Sequence, residues 1–148
     1  LTIIKTVKVL SDPVGNAAGT TTPHAIPGTV VQYTITVANS GTASTAASSI
    51  ATTDALPADT SWGTPAGGSG TLSGTGTLSG TLAVTTPGVN GGAQFSCPDG
   101  SKTTQAGTAP YTTVTCDYGQ TTADTITVSG MYLKPGDTAT IVYTVTIN

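Results

Sequence analysis

Few residues of this chain have side chains able to carry chemistry, and their spacing limits what each set would do. Cys97 and Cys116 enclose positions 98–115, which is neither zinc-ligand spacing nor a Cys-x-x-Cys redox pair. In so charge-poor a chain the simplest reading is one structural disulfide formed after export, with two buried free thiols as the alternative. A bridge over such a loop stabilises by roughly 3 kcal/mol in the chain-entropy account. His24 is the single histidine, and Arg and Glu are absent. A Ser-His-Asp triad would have no Gly-x-Ser-x-Gly elbow here, so His24 reads as a solvated loop residue. Gly74-Thr75-Gly76-Thr77-Leu78-Ser79 imitates a dinucleotide fingerprint but lacks its third glycine and any βαβ context, which makes it turn composition. The chain is expected to be no enzyme, with no catalytic residue and no cofactor.

Binding chemistry is equally sparse. All seven acids are Asp, and hard carboxylate oxygens make calcium the cation to consider. Asp54 with Asp59, or Asp99 with Asp117, are the pairs able to converge. Neither follows a calcium-loop spacing, and turn aspartates bonded to their own backbone explain them better; no metal site is expected. Lys5 or Lys8, Asn148 and Asp54 are the residue types of a lysine–asparagine cross-link between first and last strands, known from a different family of Gram-positive surface sandwiches. Lys5 falls on an alternating apolar face, where an unpaired ammonium is costly. The plainer reading puts it at a sheet margin with its head in water. Trp62, Phe95 and Tyr111 are candidates for stacking on a glycan or receptor, but most aromatics occupy strand positions that read as core, and Trp62 reads as a cap on the body.

The background that must position these residues is unusual. Charged residues are 7% of 148, the net charge is -3, and threonine occurs 34 times. Four scattered lysines cannot neutralise a phosphate backbone, so nucleic acid is excluded as a partner. Apolar runs fall far short of the roughly 18–20 residues a membrane helix needs, so membrane insertion is not expected. Abundant β-branched residues and scarce helix formers argue against an α-rich fold.

Period-2 alternation supplies the elements. Residues 1–10 place Leu1, Ile3, Val7 and Val9 on one face, with Lys5 interrupting the row. Residues 30–38 place Val31, Tyr33, Ile35 and Val37 opposite Gln32, Thr34 and Thr36. Residues 138–147 set Ala139, Ile141, Tyr143, Val145 and Ile147 against threonines, and residues 111–118 alternate through Val114 and Cys116. Weaker strands are expected at 45–53, 77–84, 93–97 and 124–133. Turn residues separate them at 39–41, 98–100 and 134–137. Many short half-buried strands joined by Gly and Pro turns predict an all-β antiparallel sandwich. Residues 11–28 are long for a connection, and residues 66–82 hold a Gly-punctuated echo, read as a hairpin or surface excursion. The expected organisation is an N-terminal strand at 1–10, a linker at 11–28 and a β-sandwich body at 29–148.

Ile4-Lys5-Thr6-Val7, then the run Pro27–Gly41, then Thr53-Asp54-Ala55-Leu56-Pro57 and finally Leu133–Thr146 follow one another in a familiar order. Together they resemble the prokaryotic surface-protein repeat catalogued as domain of unknown function 11. Region 63–123 fits it least. The resemblance implies an immunoglobulin-like sandwich with Greek-key connections, extracellular and at the cell surface, without enzymatic activity. That family occurs in tandem copies, whereas one copy is present here.

Leu1 in place of Met points to a processed or trimmed chain, expected to be secreted and held at a cell surface by something outside this sequence. Two functions compete: a structural subunit polymerising with copies of itself into a filament, and a monomeric adhesive or ligand-binding module of a larger surface protein. The first has a specific mechanism, donation of residues 1–10 as a β-strand to a neighbouring subunit through Leu1, Ile3, Val7 and Val9. Burying those four gives about 6–12 kcal/mol at 1.5–3 per side chain, against ~10 kcal/mol or more for ordering ten residues. Docking on the strand's own body makes the same contacts without the association cost and is the default. A connection able to span ~60 Å, with Pro13, Pro23 and Pro27 favouring extended backbone, pushes towards exchange.

Overall fold

Alternation is strictest at residues 30–38 and 138–147, and these stretches form the middle of the larger sheet. The computed structural model describes residues 1–19, 21–62, 81–98 and 100–148, leaving out the side chains of Ser61, Trp62 and Thr81. Ten strands form among them: β1 (Thr2–Ser11), β2 (Val30–Ala38), β3 (Ile50–Ala55), β4 (Thr60–Trp62), β5 (Thr81–Thr85), β6 (Phe95–Pro98), β7 (Ser101–Gln105), β8 (Val114–Tyr118), β9 (Thr125–Met131) and β10 (Thr138–Ile147). One sheet runs β1-β2-β10-β5-β6, with β4 also on β10; the other runs β3-β9-β8-β7. The pairings are antiparallel throughout, so the expected all-β sandwich is what forms. Among the described residues no helix is long and apolar enough to cross a membrane.

The register explains the core. Ile35 faces Ile141, Val37 faces Ala139, and Val31 faces Val145 across β2 and β10. Each row therefore presents two apolar side chains on the same face, while Thr34, Thr36, Thr138 and Thr140 point the other way. From the second sheet Val114, Cys116, Ile126, Val128 and Met131 meet them. A β-branched hydroxyl suits the wet side of such a sheet, which accounts for the threonine content.

Cys97 on β6 and Cys116 on β8 form a disulfide with Cα atoms 6.2 Å apart, tying one sheet to the other, and both are fully buried. Pro98 ends β6 and Ser101 begins β7 in the opposite sheet, with Gly100 at φ 66°, a left-handed conformation that glycine adopts without penalty. The turn expected at 98–100 includes Asp99, which lies outside the described residues; β7, directly after it, is a strand that the alternation does not predict. The strand expected at 111–118 starts at Val114 because Tyr111 packs elsewhere: a Cβ on Gly88 would lie 2.0 Å from its ring. The strand expected at 45–53 is shifted to 50–55. The echo at 66–82 and the Gly74–Ser79 motif fall almost wholly outside the described residues, as does Asp99.

Candidate functional site

β1 pairs along its length with β2 of its own chain, from Thr2↔Ala38 to Val9↔Val31, and a bulge follows before Ser11↔Val30. Ile3, Lys5, Val7 and Val9 fall in the rows of Val37, Ile35, Tyr33 and Val31, so they lie on the core side of the sheet, as the alternation predicts. The second sheet does not extend over them. Leu1, Ile3 and Val7 remain 67%, 62% and 61% exposed, Val9 is half-buried, and Leu10, in the bulge, is buried. The expectation that docking on the strand's own body buries this row is thus corrected. Self-docking completes the ladder and leaves most of the apolar row in water.

Lys5 is the exception in that row. Its ammonium lies 2.6 Å from Asp54 Oδ2 on β3 and 4.5 Å from the centre of the Tyr33 ring. The Tyr143 hydroxyl donates to the same Asp54 oxygen at 2.6 Å, and the Tyr33 and Tyr143 rings stack with centres 5.3 Å apart. Three strands of the body, β2, β3 and β10, thereby build a socket of one carboxylate and two aromatic faces, and β1 fills it. The ammonium gains both an ion pair and a cation–π contact there. Burial, and then the bond to Asp54, push the Tyr143 hydroxyl well above the usual tyrosine range.

The segment 11–28, expected as an extended linker, is folded around one carboxylate. Asp12 Oδ1 accepts from the backbone N–H groups of Val14 and Asn16, and Oδ2 accepts from the Asn16 side chain and the His24 backbone. The His24 ring nitrogen sits 3.3 Å from Oδ2. Burial alone would raise the Asp12 carboxyl; the bonds from Asn16 and His24 outweigh it and hold the group well below its ordinary range. The segment ends on Gly28, whose N–H donates to Ile147 O at 2.7 Å. The prolines do not keep the chain extended, because an Asx-type turn on Asp12 reverses it.

Among the described residues the other candidates are not assembled. Asp54 is engaged by Lys5 and Tyr143, whereas Asp59 is exposed in a positive-φ turn whose carbonyl accepts from Asn148. Asp117 accepts from Gln120 and Thr121, which, against its burial, lower its carboxyl. Among the described residues no three His, Cys, Asp or Glu side chains converge. The lysine–asparagine cross-link is not assembled either. Lys8 lies on the opposite face from Lys5, and Asn148 lies seven residues beyond Ile141, the β10 residue in Lys5's row. Phe95 is core, and Tyr111 packs against Tyr132 with Lys134 over its ring; the Trp62 side chain lies outside the described residues. A hollow of about 200 Å³ on the outer face of β8 and β9 is lined by Lys102, Asp117 and threonine and serine hydroxyls, with no aromatic ring. Comparison with family models, curated proteins and solved structures finds no match for this chain.

Proposed function

We propose that this chain is a structural subunit, exported to a prokaryotic cell surface, that polymerises with copies of itself by exchanging β1 between neighbours. The observation that carries the reading is the distribution of exposed apolar side chains. Leu1, Ile3, Ile4, Val7, Val14 and Ile26 are the exposed large hydrophobics among the described residues, and all lie within residues 1–26. Elsewhere among the described residues no large hydrophobic side chain is exposed, so the described surface that gains by being covered is β1 and the loop after it.

The ladder to β2 forms equally well with a strand from the same chain or a neighbour's, so it does not choose between them. Only additional burial does. That burial has to come from the adjoining subunit's surface laid against the row, beyond the ladder itself: covering Leu1, Ile3 and Val7 there contributes up to roughly 5–9 kcal/mol at 1.5–3 per side chain, comparable with the roughly 4–15 kcal/mol cost of association. A strand handed head-to-tail generates an open filament rather than a closed ring. The inter-sheet disulfide fits an oxidising compartment, and the resemblance to a surface-protein repeat agrees with it. Electron microscopy and sedimentation of the purified chain test the proposal. Regular fibres are expected, lost on deletion of residues 1–10 and restored by the ten-residue peptide. Dispersed monomers at all concentrations, or unchanged fibres from the truncated chain, refute it; monomers that bind a glycan or receptor would favour the adhesive module.

A further inference from the structure

Building on the strand-exchange reading, we infer that Lys5 and its socket of Asp54, Tyr33 and Tyr143 are the recognition element that sets the register of the exchanged strand and selects a second copy of this chain as donor. In most strands register is set by burial, since a one-residue slip turns the apolar face outward. That determinant is weak here, because Ile3 and Val7 are more than half exposed even in register. The buried Leu10 is itself the unpaired residue of the bulge between Val9 and Ser11, so it anchors the end of the strand, and the middle of the ladder needs a determinant of its own.

What distinguishes registers is the charge. A two-residue slip keeps the same face inward but brings Ile3 or Val7 to the socket. Asp54, with only 18% of its side chain exposed, then loses its counter-ion and faces an aliphatic group, which costs the desolvation of the carboxylate. A one-residue slip brings Ile4 or Thr6, which fail equally. Lys8 reaches the socket only by a three-residue slip, which turns the Ile3, Val7 and Val9 face outward and leaves Thr2, Ile3 and Ile4 beyond the end of β2. Every part of the socket belongs to the body and its ligand to β1, so exchange moves the lysine between molecules and leaves the socket behind. The occupant it fits is an alternating strand with one lysine at its fifth position, which residues 1–10 of another copy supply.

A charge-swap complementation with full-length chains tests this. Lys5→Asp and Asp54→Lys each set like charges against each other at every junction, and each alone is expected to polymerise roughly tenfold or more weakly than wild type. Mixed in equal amounts, each strand finds a complementary socket only on the other variant, and polymerisation is expected to return with the two chains in equal proportion. Near-UV circular dichroism and an intact disulfide show whether each variant is folded; if a swap unfolds, Lys5→Met with Asp54→Asn provides the same mixing arms. Single variants that polymerise like wild type overturn the role of Lys5 while leaving strand exchange in place. A mixture that fails while the Lys5→Asp, Asp54→Lys double variant assembles shows the pair forming within one chain, and overturns donor selection. Wild-type chains that never polymerise remove the exchange reading itself.

Discussion

β1 and β10 are each ten residues long, each pairs antiparallel with β2, and they lie on either side of it. Their rows even coincide: Lys5 and Ile141 both face Ile35, and Val9 and Val145 both face Val31. Yet Ile141 and Val145 are fully buried, whereas Ile3 and Val7 stay about three-fifths exposed. Equal ladders with unequal burial show that backbone pairing alone does not bring a strand into the core. That depends on how far the facing sheet extends, and the edge strand β3 reaches β1 through Asp54 and its partner Lys5.

Truncations sharpen the contrast most. Ile141→Ala removes fully buried methyl groups from between the sheets and is expected to lower unfolding stability by about 2–5 kcal/mol in a denaturant titration. Removing the bridge with Cys97→Ala and Cys116→Ala together is expected to cost roughly 3 kcal/mol, concentrated in β6 and β8, with amide exchange in the β1–β2 ladder changing less. Acid should loosen both the connection and the body. The Asp12 and Asp117 carboxyls lie below their ordinary range, so their contribution is complete above the unfolded value of about 3.9 and fades as pH falls below it. A stability plateau through neutral pH that declines below about pH 4 is expected, and Asp12→Asn should raise protease cleavage within 11–28 at neutral pH. The smallest effect on the folded subunit is expected from Ile3→Ala, within about 0.5 kcal/mol. The same substitution should weaken polymerisation measurably, and a large loss of subunit stability would break the comparison.

Much of this was legible because one face of each central strand is buried. Val31 to Val37 alternate without a fault and Ala139 to Ile147 with one, Val142 on the threonine face, and β2 and β10 occupy the ranges that alternation predicts. Ser101–Gln105 is uniformly polar, an edge strand half-exposed on alternate residues, and carries no period-2 apolar signal to find it by. At the first strand the inward face was legible but its exposure was not, since sheet width is set by distant pairings. Lys5 and Asp54 were each singled out, but grouped with Asn148, because residue type says nothing about position along β10. Tyr33 and Tyr143 read as core, and nothing local marks them as the walls of a lysine socket. The Asp12 hub had a signal, Asp-Pro-x-Gly-Asn, which favours an Asx turn over the extended path that the prolines implied.

The central claim is that β1 is held by a neighbour's β2 when the chain assembles. Thr6 and Thr34 face each other across these strands on the outer side of the sheet, so Thr6→Cys with Thr34→Cys places a thiol on each strand without disturbing the core. Oxidation of assembled material, followed by non-reducing denaturing electrophoresis, reads out which molecules are joined. The account predicts a ladder of covalent multimers that collapses to monomer on reduction. A single monomeric band carrying the new cross-link within one chain would contradict it.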